Sequence, residues 1–224
     1  MRLSSPPVIF ACVLTLSGCS SVLPARRPPL AQSRVLVQMG AADLTAQRAE
    51  EGLQKFSASG LADPSFADAF FFQGAALNRL GRAGEALARL QRAAGMGCDH
   101  PDLAFETAWS LLMLERWSDA LASLERSERA HPGHGKTSEF IGRAFFGLGE
   151  DDKARAMFAE ALKREPTLGP TVLLYLALLE ERRGNIDAAR EHLGSVVRQF
   201  PDSPLGPVLR EDPEQLSGPD ASTR

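Results

Sequence analysis

Two short polar segments in the middle of this sequence carry residue types that could bind a metal ion. Cys98, Asp99 and His100 stand in the first segment, and His131 and His134 stand in the second. Cysteine and histidine are the usual zinc ligands, held about 2.0–2.3 Å from the ion. If each segment is a turn between packed helices, the two lie at least one helix spacing apart, roughly 8–10 Å. We therefore predict solvated turn residues here and no metal site.

A second candidate for chemistry is the segment Ala130–Thr137, which reads AHPGHGKT. It has the spacing of a phosphate-binding loop, with alanine at the first glycine position. Such a loop follows a β-strand and opens a helix, so that its backbone amides can hold phosphate. Here a helical pattern precedes the segment, and no acidic strand end is available for magnesium. The sequence therefore predicts no nucleotide cofactor.

Carboxylates and nucleophiles show no catalytic pattern. The acidic pairs Asp151-Asp152 and Glu180-Glu181 fit a helix start and a helix flank, where capping and solubility explain them. No serine, cysteine or threonine has a histidine at a convincing motif spacing. The net charge of -3 gives no basic surface for a nucleic acid. We predict a protein that is not an enzyme and has no cofactor and no nucleic-acid partner.

The N-terminal residues combine a positive start at Arg2 with an apolar segment over residues 8–16. That segment is too short to span a bilayer but fits the hydrophobic part of a secretory signal. It leads into Leu-Ser-Gly-Cys at residues 16–19, which resembles the lipobox of bacterial lipoproteins. The resemblance implies removal of residues 1–18 as a signal peptide and attachment of acyl chains such as palmitate to Cys19. The alternative is an ordinary secretory signal with a chance cysteine.

The residues that follow Cys19 bear on membrane location. In lipoproteins of Gram-negative bacteria, an aspartate after the cysteine favours retention in the inner membrane, and this sequence has Ser20. The resemblance therefore implies a lipid anchor in the outer membrane, on the periplasmic face. Residues 19–32 include Pro24, Pro28 and Pro29 and have no apolar period, so we predict a lipidated N-terminus and a Pro-rich tether.

A period of 34 residues organises the rest of the chain. The small residues Gly74 and Ala86 recur as Ala108 and Ala120, and the last unit takes a step of 35. The four matching columns are Gly74, Ala108, Gly142 and Ala177; Ala86, Ala120, Ala154 and Ala189; Leu90, Leu124, Phe158 and Leu193; and Ala93, Ser127, Ala161 and Val196. Each unit shows two amphipathic helical patterns joined by a short polar turn. The fold prediction is therefore all-α, without a sheet.

This period, with small residues at those offsets and closing prolines at 132, 166 and 201, resembles the tetratricopeptide repeat family. The resemblance implies a right-handed solenoid of helix-turn-helix repeats, with four repeats over residues 67–204. Residues 33–66 are predicted to form a degenerate N-terminal repeat, and residues 205–224 a flexible C-terminal tail. The sequence departs from the family at Cys98, which replaces a closing proline, and at Glu180, which replaces an apolar residue.

In tetratricopeptide proteins the partner usually lies along the concave face that the first helices of the repeats form. Because Trp and Arg are enriched at binding hot spots, Trp109 and Arg143 are the leading candidates on that face, with Arg143 as an anchor for an acidic group. The full set of predicted protein-binding residues is Phe71, Asn78, Arg79, Phe105, Trp109, Leu112, Met113, Arg143 and Phe146. The alternative for the aromatic residues is that they fill gaps between neighbouring repeats.

The last repeat predicts a second exposed surface. No long capping helix is expected after residue 204, so Val196, Val197 and Phe200 would be exposed and would suit a homodimer or a partner. The alternative is that Val208 and Leu209 fold back and cover them.

These features together predict a non-enzymatic protein-interaction scaffold. Small lipoproteins of this architecture resemble the assembly lipoproteins of type IV and Flp pili and of related secretion systems. The function hypothesis is therefore a lipid-anchored periplasmic adaptor that holds an envelope protein or peptide segment in its concave groove and helps assemble such a complex. The alternative is an adaptor for cell-wall hydrolases or for outer-membrane protein biogenesis.

Overall fold

A computed structural model describes residues 31–204 of the 224-residue chain. Over this range the chain forms ten α-helices, one short 3-10 helix at Pro166–Leu168 and no strand. The helices are α1 (Ala31–Thr45), α2 (Ala49–Ala62), α3 (Ala67–Arg79), α4 (Ala83–Gly95), α5 (Leu103–Met113), α6 (Trp117–Ala130), α7 (Gly135–Gly147), α8 (Asp151–Arg164), α9 (Gly169–Arg182) and α10 (Ile186–Gln199). None of them is long and apolar enough to cross a membrane. Cys19, Val208 and Leu209 lie outside the described range.

The turn inside each helix pair depends on one residue in the left-handed backbone region. Gly81, Gly149 and Gly184 occupy this position with φ angles of 76°, 75° and 79°. Glycine adopts this region without the steric cost of a Cβ atom. Gln47 and Glu115 hold the same position in the other two turns, with φ angles of 60° and 57°. The reversal lets each second helix pack back against the first.

The small residues that define the 34-residue period lie where the two helices of a pair meet. At Gly74, a Cβ atom would stand 2.5 Å from Cγ of Leu90, and at Gly142 it would stand 2.7 Å from the ring of Phe158. Both larger side chains are fully buried. Most of the other small-residue positions are buried as well: Ala86, Ala108, Ala120, Ala154, Ala177 and Ala189. The helices therefore approach closely because each crossing has glycine or alanine at the point of contact.

Successive helix pairs stack in one direction. The first helices contact each other from pair to pair: α1 with α3, α3 with α5, α5 with α7, and α7 with α9. Within residues 31–204, no second helix makes a comparable contact with the second helix of the next pair. The first helices therefore line the inner side of a curved array, and the second helices lie on its outer side. The predicted all-α solenoid of helical repeats is confirmed.

The segment for which a degenerate repeat is predicted contains the pair α1 and α2. Gly40 faces Phe56, which would lie 2.6 Å from a Cβ atom at residue 40, so this pair is closed in the same way as the later ones. Ser33 Oγ donates to Ser59 O at 3.2 Å and Ser59 Oγ donates to Ser33 O at 2.9 Å, and both side chains are buried. The two reciprocal bonds fix one end of the pair.

Two departures from the family pattern have their own partners. Glu180 accepts hydrogen bonds from Asn185 and from Arg155 of the preceding repeat, and these bonds hold the pKa of its carboxyl below the usual range. Cys98 contacts Asp68 Oδ1 at 3.6 Å, and burial raises the pKa of its thiol to about 11. The thiol therefore stays protonated and unreactive at neutral pH.

One prediction about the last repeat is wrong. Val196 is completely buried rather than exposed, as are Ala93 and Ala161 at the same position of earlier repeats. Val197 and Phe200 are half-buried. The ring of Phe200 covers Gly169, where a Cβ atom would stand 2.2 Å from Cζ. The apolar surface at this end of the array is therefore smaller than the sequence predicts.

Candidate protein-binding surface

Six of the nine residues that the sequence predicts for partner binding are at least partly exposed on the inner side of the array. Met113 and Arg79 are exposed there, near the ends of α5 and α3. Trp109, Arg143 and Phe146 are half-buried, with part of each side chain open to solvent. Phe105 is also half-buried, and its ring stacks on Phe140 with the centroids 4.7 Å apart. Leu178 of α9 is exposed on the same side. We call the solvent-accessible residues the inner patch and define it as Arg79, Trp109, Met113, Arg143, Phe146 and Leu178.

Three of the predicted residues are buried and do not form part of this surface. Phe71 is only 2% exposed, because its ring stacks on His100 with the centroids 3.8 Å apart. Leu112 belongs to the hydrophobic cluster that joins α5, α6 and α7. Asn78 is buried within a polar network between α3 and α5. These three predictions are wrong, because the next repeat covers each side chain.

The network around Asn78 links two repeats through buried hydrogen bonds. Asn78 Nδ2 donates to Glu106 Oε2 and to Glu106 O, both at 2.8 Å, and Ser110 Oγ donates to Asn78 Oδ1 at 2.6 Å. Arg79 approaches Glu106 Oε1 at 3.3 Å. Burial raises the pKa of Glu106, whereas the bond from Asn78 and the charge of Arg79 lower it. The network therefore fixes Arg79 at the edge of the inner patch.

Each arginine of the inner side lies against an aromatic ring. The guanidinium of Arg79 is 5.6 Å from the Trp109 ring, and that of Arg182 is 4.0 Å from the Phe146 ring. Arg143 lies near two rings, 5.0 Å from Phe140 and 5.4 Å from Tyr175. Such cation–π contacts hold a guanidinium in place without using its N–H donors. These contacts hold the three guanidinium groups on the inner side of the array.

Arg143 has the most available donors of the three. Among residues 31–204, its guanidinium has one ionic contact, to Glu139 Oε1 at 3.8 Å, which is too long for a hydrogen bond. Glu139 is itself buried, and burial raises the pKa of its carboxyl against the opposing charges of Arg143 and Lys136. Arg182, by contrast, already donates to Asp151 Oδ1 at 2.7 Å. Of the three arginines, Arg143 therefore makes the fewest hydrogen bonds within the described residues.

Two residues of this side are missing from the sequence prediction. Arg182 stands one step of the repeat beyond Arg79, Met113 and Gly147, so the period alone could have identified it. Tyr175 contributes the ring that supports Arg143, and its ring also meets Phe146 edge-on at 5.5 Å. No sequence signal marks Tyr175, because its role depends on an arginine in the preceding repeat.

The candidate metal and phosphate residues have other partners. His131 Nε2 lies 3.4 Å from Asp102 Oδ1, and His134 meets the Phe105 ring edge-on at 6.1 Å. His100 lies on Phe71, and burial lowers the pKa of its imidazole. Over the described part of the chain, no group of three or more potential ligands could hold a metal ion. The start of α7, where a phosphate would bind, packs against Glu165, whose Cβ would stand 2.4 Å from a Cβ atom at Gly135.

A curved array of helical hairpins with a preformed aromatic and arginine surface on its inner side belongs to the helical-repeat scaffolds, which typically bind other proteins rather than catalyse reactions. The sequence matches the family described as tetratricopeptide repeat over residues 79–135, 105–169 and 141–204. These matches together span more than half of the chain, and the chain belongs to the tetratricopeptide repeat family.

Solved structures agree with this fold. A thermophilic TPR protein of Thermus thermophilus, TTC0263, superposes with a TM-score of 0.64 at 21% identity, covering 79% of this chain and 95% of that chain. MamA from Desulfovibrio magneticus RS-1, residue 41 to the end, gives a TM-score of 0.63 at 18% identity, covering 79% and 99%. YrrB, described as a TPR protein with an unusual peptide-binding site, gives 0.57 at 20% identity, covering 79% and 90%. No curated protein sequence matches the chain. At these identities the likeness concerns the fold alone.

Proposed function

We propose that this protein is a non-enzymatic scaffold that holds a peptide segment of a partner protein along its inner patch. The observation that carries the proposal is Arg143, which two aromatic rings hold at the surface without a hydrogen bond to another residue of the described chain. Trp109, Met113 and Leu178 add apolar surface around it. This arrangement suits a segment that presents an apolar side chain beside a carboxylate. The peptide-binding site in the description of YrrB supports the same use of the fold.

We further propose that the scaffold works at the periplasmic face of the outer membrane, anchored by lipid on Cys19. In this setting it would help assemble an envelope complex such as a type IV or Flp pilus or a secretion system. The support is the resemblance of residues 16–19 to a lipobox. An adaptor for cell-wall hydrolases or outer-membrane protein biogenesis is the alternative, and the identity of the captured partner distinguishes the two.

Weakening the inner patch is expected to abolish partner capture. The double variant Trp109→Ala with Arg143→Ala removes the largest apolar contact and the free cation. Truncating such hot-spot residues typically costs about 2 kcal/mol or more, which corresponds to a roughly 30-fold weaker complex. The measurement is affinity purification of the tagged full chain from envelope extracts, with the recovered proteins identified by mass spectrometry.

A second variant is needed to separate binding from folding, because Trp109 also packs against the Phe140 ring at 6.0 Å and its loss could destabilise the protein. Met113→Asp with Leu178→Asp changes two exposed side chains of the inner patch and should leave the melting temperature nearly unchanged. It should lose the same partner as the first variant. Leu61→Asp on α2, where the side chain is 83% exposed, is the control that should retain it. Normal capture by both folded inner-patch variants would exclude this surface.

Loss of the lipid acceptor is expected to change processing and location. Cys19→Ser should leave the precursor uncut by the lipoprotein peptidase and should abolish labelling with palmitate. Cys12→Ser is the matched control, because this cysteine lies inside the predicted signal peptide and should not alter labelling of the mature protein. Continued labelling and outer-membrane fractionation of Cys19→Ser would contradict the lipid anchor.

A further inference from the structure

One exposed face of α1 has only uncharged residues along its centre, with the exposed Arg34 at its edge. Val35 is 52% exposed and Met39 is 49% exposed, and Gln38 and Ala42 beside them are also exposed. These residues recur at the spacing of one helix face. A solvated helix face normally carries charged side chains, and the opposite arrangement indicates a surface that is covered in use.

The repeat period shows what covers this face elsewhere in the chain. Ala69 and Ala76 hold the positions of Val35 and Ala42 in the next repeat, 34 residues later. Both are completely buried in the cluster that contains Phe56 of α2. One step along from Met39 stands Gln73, whose Nε2 donates to Phe56 O at 3.1 Å. In the last repeat the same positions are Val172, Leu176 and Leu179, which pack against Phe158 and Leu162 of α8. At each of these junctions the second helix of the preceding repeat covers the face.

The opposite end of the array has the matching half of this junction. Phe56 of α2 and Phe158 of α8 hold the same position of the repeat. Their rings stack on rings of the following repeat, on Phe72 at 5.2 Å and on Tyr175 at 5.3 Å. The side chains of Phe56 and Phe158 are completely buried. Leu193 holds this position in α10 and is only half-buried, as is Val197, which holds the position of Leu162. The second helix of the last repeat therefore presents an apolar face with no following repeat among residues 31–204.

We propose that a second copy of this chain continues the array, with α10 of one copy packed on α1 of the next. Leu193 and Val197 would then contact Val35, Met39 and Ala42 in the register that α8 and α9 use within one chain. A second copy is the occupant that fits, because the two ends of the described array, residues 31–204, supply the two halves of one repeated junction. The contact joins two different surfaces, so it is head-to-tail and can extend beyond a dimer.

Cross-linking of paired cysteines tests this geometry in the full chain. The double variant Val35→Cys with Val197→Cys, treated with a short bis-maleimide in detergent extracts, is expected to give a ladder of dimers, trimers and larger species. Each single variant alone should give no ladder, because the two cysteines of a junction lie on different surfaces. The half-buried Cys98 thiol is a poor competitor for the maleimide, because burial raises its pKa to about 11. Leu61→Cys paired with Val197→Cys is the control that should remain uncross-linked.

A charge on the α1 face should break the contact without unfolding the protein. Met39→Glu added to the double cysteine variant is expected to reduce the cross-linked fraction at least about tenfold, with an unchanged helical signal. No ladder from the folded double variant would overturn the proposal. A dimer from Val35→Cys alone would also overturn it, because that product requires a symmetric contact between two α1 faces.

Discussion

Replacing Phe158 by alanine is expected to lower the free energy of unfolding by about 3–5 kcal/mol, the typical cost of emptying a buried phenylalanine site. The side chain is completely buried and fills the space that Gly142 leaves open. Its ring also stacks on Tyr175, with the centroids 5.3 Å apart, and so joins two repeats. Chemical denaturation followed by circular dichroism measures the change.

The repeat itself supplies the controls for this experiment. Leucine stands at the position of Phe158 in three other repeats, as Leu90, Leu124 and Leu193, so Phe158→Leu should cost less than about 1.5 kcal/mol. Gly142→Ala alone should destabilise, because its Cβ atom would stand 2.7 Å from the ring. Adding Phe158→Leu to Gly142→Ala should recover part of the lost stability, since Ala108 and Leu124 form that pair in another repeat. Additive losses in the double variant would contradict this account of the helix crossing.

The fold was predictable from the sequence because it depends on a few repeated steric requirements. A helix crossing needs a small residue opposite a large one, and that requirement recurs every 34 residues whatever the surface residues are. The turn position is less regular, since Gln47 and Glu115 adopt the left-handed backbone that glycine adopts elsewhere. Packing of the flanking helices maintains these two turns, so no local sequence signal was needed there.

The inner surface was only partly predictable, because exposure there depends on the neighbouring repeat. The sequence identified the correct helix faces, and Met113, Trp109 and Arg143 are accessible. Phe71 is nevertheless covered by His100 from the turn that follows α4, and Leu112 is covered by the cluster with α6 and α7. The repeat period identifies which residues are equivalent. It does not indicate which side chains of a neighbouring repeat cover them.

Asn78 shows how a residue of the expected type can have a different role. Its amide was a reasonable candidate to hold a peptide, but both of its polar atoms bond to the following repeat. It therefore stabilises the buried carboxyl of Glu106, and Glu106 in turn approaches Arg79 of the inner patch. Asn78 therefore joins two repeats and is not available for contact with a partner.

The variant Asn78→Ala is accordingly expected to destabilise the protein by about 2 kcal/mol near neutral pH, the cost of removing a hydrogen bond from a buried charged group. Burial already raises the pKa of Glu106 above its ordinary value of 4.5, and loss of the amide donor raises this pKa further. Above that ordinary value the folded state then holds a proton that the unfolded state releases, so stability falls as the pH rises through the folded-state pKa. The cost of the variant should therefore be small near pH 4.5 and should grow as the pH rises.

Asn185→Ala is the matched comparison, because it removes the same amide-to-carboxylate bond from Glu180, at 2.8 Å. There the hydrogen bonds from Asn185 and Arg155 lower the pKa of the carboxyl, so the stability they contribute is complete above 4.5 and is lost as the pH falls through the folded-state value. Urea denaturation of both variants and the parent between pH 3 and pH 8 should place the two pH dependences on opposite sides of about 4.5. The fraction of Asn78→Ala that remains folded should still capture the partner. A cost that does not vary with pH would contradict the link between Asn78 and the Glu106 carboxyl. Loss of capture by the folded variant would indicate that Asn78 contacts the partner.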